Sequence, residues 1–235
     1  MDLVQGVRSE LAARANPERA AFMSRYFQTG PGQYAEGDIF WGISNPQARD
    51  VARRWRLALA HPAEVLPLLQ DPVHECRLVA LLLWVAYYPK APKMHQEVLY
   101  ELYLTHRAYI NNWDLVDLSA RDIVGYHLWE KDRSVLMELS QSTHLWTQRI
   151  ALLATFYFIR EGQFEDTIRV AEVLLTSKHP LIHKAIGWML REIGKRDLDT
   201  LEAFLHQHSG VLARTSLHYA IERLPPARRQ YYLTL

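Results

Sequence analysis

The chain has 235 residues, of which 49% are hydrophobic and 23% charged, and its formal net charge is +1 at pH 7. This balance is that of a globular protein and excludes a disordered chain. A single cysteine, Cys76, excludes a disulfide framework and a cysteine-based zinc site. Because the N-terminus has no long apolar core and the most apolar run, 78–88, is too short to span a membrane, we expect a cytoplasmic protein with no membrane partner.

Almost every segment shows apolar residues at the helical period, and no run alternates with a period of two. The pattern predicts an all-α chain with helices at residues 3–14, 17–28, 46–60, 63–70, 72–88, 94–106, 113–129, 134–141, 145–161, 164–177, 180–195, 198–208 and 212–224. Prolines stand at the starts of four of these helices, where a missing N–H costs no hydrogen bond. We interpret residues 1–235 as a single domain.

One stretch, residues 29–38, breaks the helical pattern and contains three of the ten glycines. Glycine-rich loops can cradle phosphates, but no Lys-Ser or Lys-Thr pair follows to complete a P-loop. An ordered turn between helices is the favoured interpretation.

The segment after Asn112 begins with an unusual surface. Trp113 and Asp117 are four residues apart, so on a helix an indole and a carboxylate project side by side, with Asp114 close to the same stripe. Asn111 or Asn112 could cap this helix, and Asp114 could be an ordinary first-turn acid. Capping does not account for Asp117 beside Trp113, so the segment is a candidate functional site.

The helices also recur at a regular spacing. A basic residue precedes an apolar run at Arg77, Arg149 and Lys184, which are separated by 72 and 35 residues. A repeat of about 36 residues fits, with the Trp113 helix in the missing register. Helical pairs at this period stack into an α-solenoid whose inner helices line a concave surface. We expect the repeated basic residue to line that surface.

Charge is unevenly distributed along the chain. Residues 45–60 contain four arginines against one aspartate, and residues 184–235 contain eight basic against five acidic residues. Such patches can track a phosphate backbone, although a solvent-exposed helix face is the commoner reason for clustered arginines.

Five stretches together carry a wider resemblance. They are Arg25-Tyr26-Phe27 with Thr29-Gly30-Pro31-Gly32, Trp113-Asp114-Leu115-Val116-Asp117, Trp146-Thr147-Gln148-Arg149, Lys184-Ala185-Ile186-Gly187-Trp188-Met189-Leu190-Arg191-Glu192 and Arg214-Thr215-Ser216-Leu217. In these motifs the chain resembles the DNA alkylation repair family of AlkD-type DNA glycosylases, which are built of HEAT-like helical repeats. The resemblance spans nearly the whole chain. Some members of the family lack the N-terminal helices and the activity, but this chain retains that region.

The resemblance implies an α-solenoid with a concave DNA-binding face. It places the catalytic carboxylate on Asp117, lesion-facing aromatic rings on Trp113 and Trp188, and the active-site arginine on Arg149. It also makes Tyr26 a DNA-contacting residue. Basic residues that recur at inner-helix positions complete the predicted DNA-binding set, namely Lys184, Arg191 and Arg214.

The implied reaction is hydrolysis of the N-glycosidic bond of N3- or N7-alkylated purines in duplex DNA, a step of base excision repair. Such a base is already cationic and leaves as a neutral molecule, so a single carboxylate against the sugar suffices, and Asp117 fits that role. Indole faces attract cations, so Trp113 and Trp188 could hold the lesion or its sugar. Arg149 could anchor the adjacent phosphate.

Each of these residues also has an ordinary structural explanation. Trp113 and Trp188 would be core aromatics in most helical proteins, and Arg149 could pair with Asp117. His179 and His183 are four residues apart, but no acid joins them, so neither a metal nor a cofactor is predicted. The alternative function is a HEAT-like scaffold that binds DNA or a protein without catalysis. In either case we expect a monomer.

Overall fold

The computed structural model describes residues 2–234, and within this range the all-α prediction is confirmed. The α-helices are α1 (Leu3–Ala12), α2 (Pro17–Tyr26), α3 (Asn45–Trp55), α4 (Leu66–Leu69), α5 (His74–Tyr87), α6 (Lys93–Thr105), α7 (Trp113–Ala120), α8 (Ser134–Ser140), α9 (Leu145–Ala154), α10 (Phe156–Arg160), α11 (Glu165–Leu174), α12 (Pro180–Gly194), α13 (Leu198–His208), α14 (Arg214–Ala220) and α15 (Pro226–Thr234). A π-helix covers Arg121–Gly125. The described residues form no β-strand, and an isolated bridge joins Ile39 and Val73.

The chain divides into two compact units, Met1–Ser119 and Ala120–Leu235. Each unit has its own buried apolar core. The single domain expected over residues 1–235 stays a prediction, and its terminal residues, Met1 and Leu235, lie outside the described residues.

Helix α5 is the centre of the first unit. Every residue from 74 to 84 is buried, which is the pattern of a helix that is apolar on all sides and enclosed by its neighbours. Helices α3 and α4 pack against it. The indole of Trp84 donates to the carbonyl of Pro62 at 2.8 Å, so its buried N–H is satisfied. The first turn of α5 is polar, however, and it is this turn that faces the candidate site.

The glycine-rich stretch, residues 29–38, forms turns, as expected, and the segment that follows it, residues 41–43, is anchored to α5. The buried carboxylate of Glu75 accepts the backbone N–H groups of Trp41, Gly42 and Ile43 at 2.8 to 3.1 Å. Gly42 has φ +80°, and a Cβ there would lie 2.2 Å from the carbonyl oxygen of Asn16. Only glycine fits this position. The segment before α3 is therefore fixed in place.

Helices α9 and α12 are the most buried in the second unit, where α8 packs on α9 and α14 packs on α12. A Cβ at Gly187 would lie 2.4 Å from the carbonyl oxygen of Ser216, so glycine permits the close approach of α12 and α14. The hydroxyl of Ser216 donates to the carbonyl of His183 at 2.9 Å. Helix α12, which carries several predicted site residues, is thereby held firmly within its unit.

Several helix predictions differ from the structure. The helices predicted at 46–60 and 212–224 end earlier, at Trp55 and Ala220, and the helix predicted at 63–70 begins as a 3₁₀ helix, Pro62–Val65. Larger differences affect three other segments. The helix predicted at 145–161 is interrupted at Thr155, whose hydroxyl donates to the carbonyl of Leu152 at 2.6 Å and competes with the backbone ladder. The helix predicted at 113–129 keeps its α geometry as far as Ala120, and the π-helix begins at Arg121. Helix α15 is absent from the prediction because its polar sequence has little apolar periodicity.

Candidate functional site

A cavity of about 240 Å³ opens beside α7 in the first unit. Its wall on α7 consists of Trp113, Asp114, Asp117 and Leu118, which share one face of the helix. Helices α3 and α5 supply the remaining lining residues, Asn45, Arg49, Leu78 and Leu82. The structure thus brings Trp113 and Asp117 to one wall, which is the juxtaposition that their spacing predicts.

An aromatic cluster fixes the indole of Trp113. Its ring stacks on Phe27 at a centroid distance of 5.2 Å, and Phe27 stacks on Phe40 at 5.0 Å. The ring of Tyr26 meets the indole edge at 6.2 Å, and Tyr26 is itself 57% exposed. Trp113 is half-buried. The indole is consequently held in one orientation while part of it remains accessible from the cavity.

A buried network of charged side chains lies behind the cavity wall. His74 places Nε2 2.9 Å from Oδ2 of Asp114 and Nδ1 3.1 Å from Oδ2 of Asp38. Arg77 donates to Oδ1 of Asp38 at 2.7 Å, and the side-chain amide of Asn111 donates to the same oxygen at 3.0 Å. Two cationic side chains therefore meet two carboxylates in the interior, which offsets the cost of burying each charge.

The electrostatics of this network favour the charged form of His74. Burial lowers the pKa of His74, but the charge and hydrogen bond of Asp114, with the hydrogen bond of Asp38, outweigh burial and raise it to about 9. Burial also opposes the charge on Asp38, yet the hydrogen bond from His74 and the charge of Arg77 bring the pKa of Asp38 below its ordinary value. Both carboxylates are held by cationic partners.

The capping explanation for Asp114 is incomplete. The side-chain oxygen of Asn112 accepts the N–H of Trp113 at 2.8 Å, and Oδ1 of Asp114 accepts the N–H of Leu115 at 2.9 Å. Asp114 is therefore a first-turn acid, but its second oxygen is the partner of His74. Asp114 fastens the start of α7 to the start of α5, and the cavity wall depends on that attachment.

Asp117 lies one helical turn beyond Trp113 and is half-buried. Burial raises the pKa of the neighbouring Tyr103, a hydrogen bond with Ser119 lowers it, and the charge of Asp117 adds to the increase. The oxygens of Tyr103 and Ser119 are 2.8 Å apart. Asp117 thus stands between the open cavity and a buried polar pair.

Arg77 and Arg149 are both buried, so the expectation that the repeated basic residue lines an exposed surface is wrong at these two positions. The side chain of Arg77 is bound to Asp38 and to backbone carbonyls. Arg149, in the second unit, is 5% exposed and donates to the carbonyl of Leu181 at 2.6 Å. Lys184 is exposed. The three basic positions that share a sequence spacing therefore have different surroundings.

Three predicted site residues share one face of α12, namely Lys184, Trp188 and Arg191, at i, i+4 and i+7. Trp188 is half-buried and meets the ring of Phe156 edge-on at 5.7 Å. Arg191 forms an ion pair with Glu222. Lys184 extends into solvent at the N-terminal end of this face.

Arg214 is exposed at the start of α14, where it donates to the carbonyl of Leu233 at 3.2 Å. It belongs to the second unit together with Arg149 and the α12 residues, whereas Tyr26, Trp113 and Asp117 belong to the first. His179 accepts a backbone N–H at the start of α12, and His183 donates to a backbone carbonyl. Within residues 2–234 no group of three or more His, Cys, Asp or Glu side chains is placed to hold a metal ion.

Fold and site together define an α-helical repeat protein with an indole and carboxylates on one cavity wall. Residues 7–224 match the family model described as DNA alkylation repair enzyme, and the chain belongs to this family. The chain is also similar to a solved structure described as a predicted DNA alkylation repair enzyme from Enterococcus faecalis, with a TM-score of 0.70 and 19% identity over 90% of this chain and 97% of that chain. That likeness shows the shared fold. No curated protein matches the chain.

Sequence reasoning missed Asp38, His74 and Arg77 as parts of the site, and it did not assign Arg49 to the cavity. One signal was present: His74, Glu75 and Arg77 stand at the head of an otherwise apolar helix. A helix that is apolar on every face is buried, so polar residues in its first turn are buried with it. Such residues need hydrogen-bond or ionic partners in the protein interior.

None of the described helices is both long enough and apolar enough to cross a bilayer.

Proposed function

We propose that this protein is a DNA glycosylase that hydrolyses the N-glycosidic bond of cationic N3- or N7-alkylated purines in duplex DNA. Family membership supports a role in the repair of alkylation damage. The observation that carries the specific reaction is the cavity wall on which a fixed indole, Trp113, stands beside the carboxylate of Asp117.

The chemistry needs little from the protein beyond a negative charge. When the bond between the sugar carbon and the base nitrogen breaks, its electron pair goes to the cationic base, which leaves neutral, and the sugar becomes an oxocarbenium ion. The carboxylate of Asp117 would stabilise this cation and orient the water that attacks it. The water then loses a proton, to Asp117 or to solvent, and the sugar retains the hydroxyl group.

The surroundings suit these roles. Trp113 presents an indole to a cationic base or sugar, and its packing on Phe27 means that no reorientation is required on binding. Asp114 is occupied by the imidazolium of His74, which separates its structural role from the catalytic role that we assign to Asp117.

We assign the remaining predicted residues to DNA contact. Tyr26 is exposed beside Trp113 in the first unit. In the second unit, Trp188 is the proposed lesion-facing aromatic and Arg149 the proposed active-site arginine. The proposed phosphate contacts of that unit are Lys184, Arg191 and Arg214. We expect the protein to act as a monomer and without a cofactor.

The test is release of free base from a duplex that contains 7-methylguanine. Wild-type protein should release the base, and Asp117→Asn should do so more slowly by at least about a hundredfold, with duplex affinity preserved, because it loses charge stabilisation of the transition state. Asp199→Asn, which neutralises an exposed carboxylate on α13, is the matched control and should retain full activity. Equal rates for Asp117→Asn and wild type would refute the assignment. DNA binding by wild type without base release would favour the scaffold.

A further inference from the structure

A second cavity adjoins the one that contains Asp117. It has a volume of about 220 Å³, and the two cavities share Arg49 and Leu82 in their linings. Its floor is apolar and comes mainly from α5, through Leu82, Val85 and Ala86. Its rim is cationic and comes from α3 and the residue that follows it, through Arg49, Arg53 and Arg56. These arginines recur at i, i+4 and i+7, so they share one helix face.

Two arginines of α3 are paired with acids, namely Arg54, which lies outside this set, and Arg53, which belongs to it. Arg54 lies 3.0 Å from an oxygen of Glu10 and 2.8 Å from an oxygen of Asp50. Arg53 reaches back to Asp50 at 2.6 Å. Arg49 and Arg56 are exposed, and within the described part of the chain neither side chain forms a hydrogen bond or an ion pair. A helix face that serves only solubility commonly pairs opposite charges three or four residues apart. Arg53 is paired in this way, whereas Arg49 and Arg56 are not.

We propose that Arg49 and Arg56 form a binding strip for the phosphates of the DNA strand that passes Asp117. The proposal rests on the function proposed above and names the surface that holds the substrate strand. Seven residues of helix span about 10.5 Å, and one DNA strand advances about 3.4 Å per phosphate. Measured along the duplex axis, this span corresponds to about three phosphate steps. The two guanidinium groups can therefore contact different phosphates of one strand, with the apolar floor between them available to deoxyribose.

The position of Arg49 gives this strip a second role. A carboxylate that faces a polyanion opposes binding, and Asp117 occupies the same cavity as Arg49. A cation at the junction of the two cavities offsets that repulsion where the strand passes from the strip to the carboxylate. The fork of guanidinium donors also suits two oxygens of one phosphate.

The experiment compares Arg49→Gln/Arg56→Gln with Arg54→Gln in binding to an undamaged duplex over a range of salt concentrations. Glutamine keeps helix propensity and a polar side chain while removing the charge. Losing two phosphate contacts should reduce the slope of log affinity against log salt by roughly 1.8, at about 0.9 per phosphate. Arg54→Gln removes a charge of the same helix that is already paired with Glu10 and Asp50, and it should leave the slope within error of wild type. Thermal unfolding of each variant verifies that it is folded.

The binding and excision measurements separate the two proposals. If wild type releases 7-methylguanine and the double variant binds with the wild-type salt slope, the proposal of a phosphate-binding strip is wrong, whereas the proposed glycosylase activity is supported. If wild type releases no base and the double variant still has the reduced slope, the proposal of a phosphate-binding strip is supported, whereas the proposed glycosylase activity is wrong. A wild type whose affinity for the duplex is absent or insensitive to salt would overturn the strip.

Discussion

His74 shows how a single buried residue can hold a cavity wall in place. Both of its ring nitrogens face carboxylate oxygens, at 3.1 Å for Asp38 and 2.9 Å for Asp114. A neutral imidazole has one N–H donor and would leave one of these contacts unmade, whereas the imidazolium donates to both. Because Asp38 precedes α3 and Asp114 lies in α7, the charged ring ties two separate segments to the head of α5.

Protonation of His74 should therefore contribute to stability over a defined pH range. Its pKa rises from an ordinary 6.5 to about 9 in the folded protein, a difference worth on the order of 3 kcal/mol. A folded-state pKa above the unfolded value means that the stabilisation is complete below about pH 6.5 and is lost as the pH rises through about 9. The free energy of urea unfolding should fall across this interval in wild type.

The variant His74→Gln should be less stable than wild type at pH 6.5 and should lose this decline in the free energy of unfolding. His218→Gln, which alters an exposed histidine, is the matched control and should keep the decline. An NMR titration of the wild-type His74 ring provides a direct reading that does not depend on whether the variant folds. A midpoint near 6.5 would contradict the prediction.

The contrast between Asp117 and Asp114 shows which parts of the site are predictable from sequence. Trp113 and Asp117 share a wall because helical periodicity sets the directions of residues four apart, so local spacing was sufficient. The partner of Asp114, His74, lies 40 residues away, and the second partner of His74, Asp38, lies another 36 residues before it. No local period encodes such contacts, because they arise from the packing of whole helices.

At the scale of elements, α12 and α9 differ in the same way, because a boundary of α12 was set by local sequence and a boundary of α9 was not. The start of α12 was predictable because Pro180 stands at its first position. The end of α9 was not, because it depends on a hydrogen bond from the side chain of Thr155 to a carbonyl one turn earlier. Apolar periodicity continues through that residue, so the pattern indicated one helix where the protein has two.

The contact between α12 and α14 offers a test at this scale. A Cβ at Gly187 would lie 2.4 Å from the Ser216 carbonyl oxygen and from the Tyr219 Cβ, so Gly187→Ala must push the two helices apart. We expect a loss of about 1–3 kcal/mol in the free energy of unfolding, as for other overpacked sites. Gly210→Ala, where a Cβ meets nothing within 4 Å, is the control and should change stability by less than about 0.5 kcal/mol. Equal stability of the two variants would show that the helices tolerate separation.

At the scale of the whole molecule, the formal net charge of +1 means that attraction to DNA cannot come from overall charge. It must come from local groups of basic residues, which act within about a Debye length of the phosphates. Arg49 and Arg56 form such a group in the first unit, and Lys184 and Arg214 are exposed in the second. Other arginines of the chain are committed to the fold, as Arg77 is to Asp38.

The composition of the cavity also determines which lesions the protein should accept. Among the described residues that line it there is no histidine, Asp114 is held by His74, and the basic side chain is an arginine, a residue type that does not serve as a general acid. A neutral lesion such as hypoxanthine departs poorly unless it is protonated, whereas an N7-alkylated purine carries its own activating charge. General acid catalysis commonly contributes 10²–10⁴-fold, so without it the release of hypoxanthine should be slower than that of 7-methylguanine by at least about a hundredfold.

The measurement is a side-by-side time course of base release from two duplexes of the same sequence, one containing 7-methylguanine and the other hypoxanthine. Because 7-methylguanine is also lost without enzyme, the rate of a parallel reaction without protein is subtracted from each. The ratio of the two corrected rates reports what the cavity supplies to a leaving base. Comparable rates would mean that a general acid reaches the base, and the mechanism that relies on one carboxylate would then be wrong. A large ratio that disappears in Asp117→Asn, because release of 7-methylguanine has fallen to the rate for hypoxanthine, would identify the carboxylate as the source of the selectivity.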